Sequence, residues 1–159
     1  MIKLNRINKY FNRGKGNEIH VLKDINLTLP DKGLVVILGA SGSGKTTLLN
    51  IIGGLDKPSS GEVEFNEYTF DKYYAKKWDK IRNQDIGYVF QNYNLLHELT
   101  VFDNIEMVLK MKGISEEEEI HKRVDYITEK LGMFNYQDRN SNALSGGQQQ
   151  RVAIATLCC

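Results

Sequence analysis

An α/β fold is the class these 159 residues predict, on three observations. A wholly apolar run, Leu34, Val35, Val36, Ile37 and Leu38, feeds a serine- and glycine-rich loop and then a helix-forming stretch, the order of a buried strand, a turn and a helix. Segments on either side alternate apolar and polar residues, the mark of a sheet with one wet face. Later segments repeat apolar residues at helical spacing instead.

Taken in order, residues 2–7 and 21–29 alternate and predict two strands, with a loop at 12–17 between them. Tyr10 and Phe11 stand just before that loop, where an aromatic ring serves either as packing or as a platform for a base. Asp31, Lys32 and Gly33 turn the chain into the apolar run. Next come Gly39, Ala40, Ser41, Gly42, Ser43, Gly44, Lys45, Thr46 and Thr47, which fit the pattern Gly, four residues, Gly-Lys-Ser/Thr. Glycines at 39, 42 and 44 let the backbone take positive φ and turn N–H groups inward around a phosphate. The helix starting near Lys45 adds its partially positive end. Lys45 is a point charge for the β- and γ-phosphates, and the Thr46 hydroxyl is a ligand for Mg²⁺, which takes few protein ligands. A nucleoside triphosphate is the ligand this pattern implies.

The helix runs to about Ile52 and stops at Gly53 and Gly54. Residues 58–61 read as a turn and 62–65 as a short strand; Tyr74, Trp78 and Ile81 predict a helix over 71–83. Residues 86–90 are a second apolar strand, ending at Gln91; a polar residue at such a strand end can reach a bound metal or water. Thr100 to Asp103 open a helix that ends before Gly113, and Ser115 with Glu118 forms the capping-box pattern of another that ends at Gly132. Last come Leu144, Ser145, Gly146, Gly147 and Gln148, where Ser145 is a good N-cap and the following helix aims its N-terminus outward, a second anion site.

Totals limit the alternatives. Lys+Arg number 21 and Asp+Glu 20, a net charge of +1, so no basic field points to nucleic acid. No apolar run is long enough to span a bilayer and no signal peptide opens the chain, which predicts a single domain that is soluble and intracellular. The two cysteines, Cys158 and Cys159, have no metal-ligand spacing.

The phosphate loop, Gln91 and the Leu-Ser-Gly-Gly-Gln run at 144–148, in that order, resemble the ATP-binding subunit of an ABC (ATP-binding cassette) transporter, over essentially the whole chain. The resemblance implies a P-loop NTPase (RecA-like) core at 31–60 and 71–92, an antiparallel β part at 1–30 and 61–70, a helical subdomain at 93–143 and the signature and its helix at 144–157. It implies ATP and Mg²⁺ as ligands, and a head-to-tail dimer in which Ser145, Gly146, Gly147 and Gln148 close over the partner's nucleotide. Phe11, two residues after Lys9, becomes the adenine platform, with Tyr10 as second choice. Gln91 becomes the metal- and water-contacting residue beside Lys45. The helical subdomain would grip a membrane permease, holding the protein at the inner face of the plasma membrane. Residues 92–96 and 99–101 are similar to exporters of the macrolide, lantibiotic-peptide and lipoprotein-release type, and amino-acid importers share much of this pattern.

The pattern is also incomplete. No acidic residue follows Asp138, and His20, His97 and His121 all precede the signature, so the family's metal-linked Asp, catalytic Glu and switch His are unmatched. By the same resemblance the C-terminal strands of the core are expected to be missing with them. Slow hydrolysis and exposed apolar edges are the expectations. Alternative readings are a soluble ABC ATPase of the translation or DNA-repair type, or a non-hydrolysing nucleotide-binding remnant.

Overall fold

The computed structural model describes residues 1–66, 68–70 and 75–159, and it divides into two compact units, Met1–Ile86 and Gly87–Cys159.

The first unit is built on a four-stranded antiparallel sheet in the order β2-β1-β3-β4, from β1 (Ile2–Phe11), β2 (Ile19–Leu29), β3 (Ser60–Phe65) and β4 (Tyr68–Phe70). Strand β1 runs four residues beyond its predicted end because its register against β2 shifts between Leu4 and Ile7, with Arg6 at φ 50°. That irregularity breaks the alternation on which the reading relied. Leu4, Ile7, Leu22, Val63, Phe65 and Phe70 turn one face of the sheet inward. Two helices supply cover, α1 (Lys45–Ile52) through Ile51 and α2 (Ala75–Gln84) through Trp78 and Ile81. The Trp78 indole stacks on Phe70 at 4.7 Å and meets Phe65 edge-on at 6.4 Å. Each such buried side chain contributes roughly 1.5–3 kcal/mol of transfer free energy. Helix α1 begins and ends where the glycines predict. The expected first residues of the second helix, Tyr74 among them, lie outside the described residues.

Neither apolar run forms a strand. Residues 34–38 and 86–90 pair with no strand among the described residues. Leu34 and Leu38 are 88% and 86% exposed, and Val36, Val89 and Phe90 are also on the surface. A strand exists only through hydrogen bonds to a neighbour, so apolar content by itself leaves these runs unpaired and largely exposed. The exposed apolar edges expected from the sequence are therefore present.

The second unit is helical. It contains α3 (Val101–Met111), α4 (Glu117–Lys130) and α5 (Gly146–Cys158), packed around Val101, Ile105, Leu109, Ile120, Val124, Met133 and Val152. Helix α3 starts in a full capping box between Thr100 and Asp103. Helix α4 departs from expectation: its N-cap is Glu116, without a side-chain cap bond, so Ser115 and Glu118 form no box. The carboxylates of Glu117, Glu118 and Glu119 fill the first turn, where the helix dipole favours them, and set the start one residue later. Buried Asn104 ties the unit together: its Nδ2 donates to the Thr100 carbonyl (2.8 Å) and Ser141 Oγ (2.9 Å), and its Oδ1 accepts from the Leu96 N–H (2.9 Å).

Candidate nucleotide-binding site

In the first unit the phosphate loop is a solvent-facing bend leading into α1. Gly42 (φ 77°) and Gly44 (φ 91°) take the left-handed conformation that only glycine adopts without strain. Gly39 does not; a Cβ there would lie 2.7 Å from Ser43 Oγ, so this glycine serves close approach across the loop, not a positive φ. Gly44 also rests on β2, where a Cβ would meet Val21 Cγ1 at 3.0 Å and Leu22 Cδ2 at 3.2 Å. It is the N-cap of α1 and brings no side chain to accept from the first-turn amides. Those N–H groups have no acceptor within the helix.

The Lys45 ammonium curls into the bend, donating to the carbonyls of Gly39 (2.8 Å) and Ala40 (2.7 Å). It also reaches Ser43 Oγ at 3.5 Å. Thr46 and Ser41 are exposed and Thr47 is half-buried. Residues 39–47 thus combine one ammonium and four hydroxyls with no carboxylate. The space inside the bend that a Cβ at Gly39 would fill, together with this donor set, fits a polyphosphate and would be wrong for a cation alone.

Phe11 closes β1 and is 42% exposed, with the Lys9 ammonium 5.1 Å from its ring centroid. Tyr10 is engaged elsewhere: it stacks on His20 at 3.9 Å, and the Arg13 guanidinium lies 5.2 Å from its ring. Lys9, which in the sequence only locates Phe11, is buried and pairs at 2.7 Å with Asp56, a residue the sequence does not single out. The available signal was period two: Lys9 follows buried Ile7 by two residues and falls on the same inward face, where an ammonium requires a counter-charge.

In the second unit Gln91 is exposed in a turn over residues 91–94. Ser145 caps α5 as expected. Its Oγ accepts from the Gln148 N–H (3.4 Å), while Gln148 Oε1 accepts from the Ser145 N–H (2.9 Å), a reciprocal capping box. Ser145, Gly146 and Gly147 are exposed and Gln148 is half-buried. Gln149, also passed over, donates to the Ser141 carbonyl (3.0 Å) and so joins the helix start to the Asn104 network. Cys158 and Cys159 end α5; burial pushes the Cys159 thiol up, which keeps it protonated at neutral pH. Among the described residues no three His, Cys, Asp or Glu side chains converge as a metal centre.

Residues 22–159 match the pattern of the ABC transporter family across both units. The chain belongs to that family. This ABC chain is 40% identical over 143 residues to the ABC transporter ATP-binding protein YtrE of Bacillus subtilis, covering 90% of itself and 62% of YtrE. To the lipoprotein-releasing system ATP-binding protein LolD of Saccharophagus degradans it is 38% identical over 155 residues, 98% of itself and 67% of LolD. The ATP-binding cassette MJ0796 of Methanocaldococcus jannaschii, solved as a dimer in a post-hydrolysis state bound to ADP and Pi, superimposes with a TM-score of 0.87. That likeness carries 41% identity and covers 99% of this ABC chain and 68% of MJ0796. The P-loop ABC cassette fold expected from the sequence is therefore shown, and so is the kinship with lipoprotein-release cassettes.

Proposed function

We propose that this chain is the nucleotide-binding part of an ABC transporter's ATP-binding subunit, which couples ATP binding and hydrolysis to movement of a substrate through a separate membrane permease. The observation that carries the reading is the phosphate loop: an uncapped helix start, two left-handed glycines and an inward ammonium with no carboxylate beside them. Lys45 would exchange two neutral carbonyls for charged phosphate oxygens, which form stronger hydrogen bonds. Gly39 to Gly44 would wrap the phosphates, and Thr46, with Gln91, would hold Mg²⁺. Phe11 would stack on the base. When bound, ATP with Mg²⁺ supplies the transferable γ-phosphoryl group.

Ser145, Gly146, Gly147 and Gln148 are assigned to a second subunit's nucleotide in a head-to-tail pair, supported by the exposed start of α5 and by the dimeric state of MJ0796. The helical part at 93–143 is assigned to permease contact, with the other predicted boundaries kept as stated. No helix among the described residues is long and apolar enough to cross a membrane, so a place at the inner face of the plasma membrane would come through the permease. Hydrolysis by this polypeptide assayed by itself is proposed to be slow, because no carboxylate after Asp138 is present to polarise the attacking water. Phosphate release should stay at the level of a Lys45→Ala control; turnover at ~1 s⁻¹ or more would contradict this.

A thermal-shift titration tests the binding assignment. MgATP at a hundredfold excess over Kd should stabilise the folded protein by about 2.7 kcal/mol. Lys45→Ala should abolish most of that shift, and an unchanged shift in the variant would overturn the assignment.

A further inference from the structure

We infer that Lys9 is a positioning residue for the base end of the nucleotide, fixing the Phe11 platform relative to the phosphate loop; the inference rests on the nucleotide-binding reading above. Lys9 is only 8% exposed, an unusual place for an ammonium, which is rarely buried unless paired. It is fully engaged. Its Nζ donates to Asp56 Oδ1 (2.7 Å) and to the Lys57 carbonyl (2.8 Å) and lies 5.1 Å from the centroid of the Phe11 ring. One cation thus links an exposed aromatic side chain to the segment that follows α1.

That segment is itself anchored to α1. The Asn50 carbonyl accepts from the N–H groups of both Leu55 (2.8 Å) and Asp56 (3.1 Å), so the Asp56 carboxylate is set by the last turns of the helix that starts at Lys45. The same oxygen that receives Lys9 also accepts from the Lys57 N–H (2.7 Å). Ser59 fastens the other side: its N–H donates to the Asn8 carbonyl (2.8 Å), and its Oγ accepts from the Tyr10 N–H (2.9 Å). A continuous path therefore runs from Phe11 through Lys9, Asp56 and Asn50 into α1 and on to Lys45.

A flexible edge aromatic stacks on a base poorly, because ordering it at the moment of binding costs affinity. Here the buried ammonium beneath the ring supplies the order in advance, and an ammonium near an aromatic face also adds direct attraction. Two ends of one ligand are then held at a fixed separation by a single helix. The charge is needed, because an apolar side chain of equal length would reach the ring but could not bind Asp56.

The test separates the base from the phosphates. Binding of MgATP and of magnesium tripolyphosphate, which lacks the base, is measured by calorimetry on the wild type, Lys9→Met and Asp56→Asn. Lys9→Met is expected to weaken MgATP about tenfold while tripolyphosphate changes by less than about twofold. Asp56→Asn, which leaves Lys9 in place without its counter-charge, is expected to give the same selective loss at smaller amplitude, and it decides the matter if Lys9→Met does not fold. Equal weakening of both ligands would reduce the link to general support of the fold and overturn the inference, as would unchanged MgATP affinity. If the wild type bound neither ligand, the nucleotide reading itself would fall.

Discussion

Two helices of this chain begin on runs of serine and glycine, and they complete their first turns by different means. At α1 the N-cap is Gly44, which has no side chain to offer, and the neighbouring charge is the Lys45 ammonium. At α5 the N-cap is Ser145, whose hydroxyl and backbone are both answered by Gln148. The nearest cation on that helix, Arg151, donates away to the Leu131 carbonyl (3.2 Å). Similar composition therefore yields a helix start that calls for an external anion and one that supplies its own acceptor. An anion gains most at the first, where it replaces nothing but water and two neutral carbonyls. The second is built to be rigid before a ligand arrives. That suits the proposed role of a surface that closes over a nucleotide already held by another subunit.

Substitutions at these positions should break the symmetry in a graded way. Gly44→Ala carries the largest expected effect. It forces an L residue to φ 91° and drives a Cβ against Val21 and Leu22, so the first unit should lose about 1–2 kcal/mol or more, with MgATP affinity falling alongside. Urea unfolding followed by the fluorescence of Trp78, the only tryptophan, reads this unit directly. Stability within about 0.5 kcal/mol of wild type would show that the loop conformation is not demanding. Ser145→Ala should cost about 1 kcal/mol in the second unit, read by far-ultraviolet circular dichroism. It should leave MgATP binding to the monomeric polypeptide unchanged; loss of that binding would mean the two helix starts are not independent. Gly147→Ala is the smallest. Its φ is not left-handed and a Cβ there meets nothing within 4 Å, so a gain of about 0.5 kcal/mol from reduced chain entropy is expected. A loss instead would reveal a constraint on α5 that its geometry does not display.

Helix boundaries were legible where short-range chemistry sets them. Glycines bracket α1, and Thr100 with Asp103 or Ser145 with Gln148 close their caps within three residues, a distance the sequence displays. The acidic turn of α4 misled because two local signals competed, and the helix dipole favoured the later start. Strands were harder. Their ends depend on registers against distant partners, as at Arg6, and β4, only three residues long, offers too little alternation to read. Residues 34–38 and 86–90 announce a need for burial without saying what would satisfy it. In the candidate site, the residues proposed to face the ligand stand out in the sequence because their types are chemically specific. Lys9, Asp56, Asn104 and Ser141 were not, because each acts through a partner 37 or more positions away.

The central claim is that the start of α1, and not that of α5, receives the triphosphate in a single copy of this chain. Backbone amide chemical shifts, recorded on dilute protein during a MgATP titration, test it most directly. The account predicts saturable changes concentrated at residues 39–47, with 145–148 undisturbed, and their disappearance in Lys45→Ala. Amides at 39–47 that stay silent while other resonances titrate would contradict it.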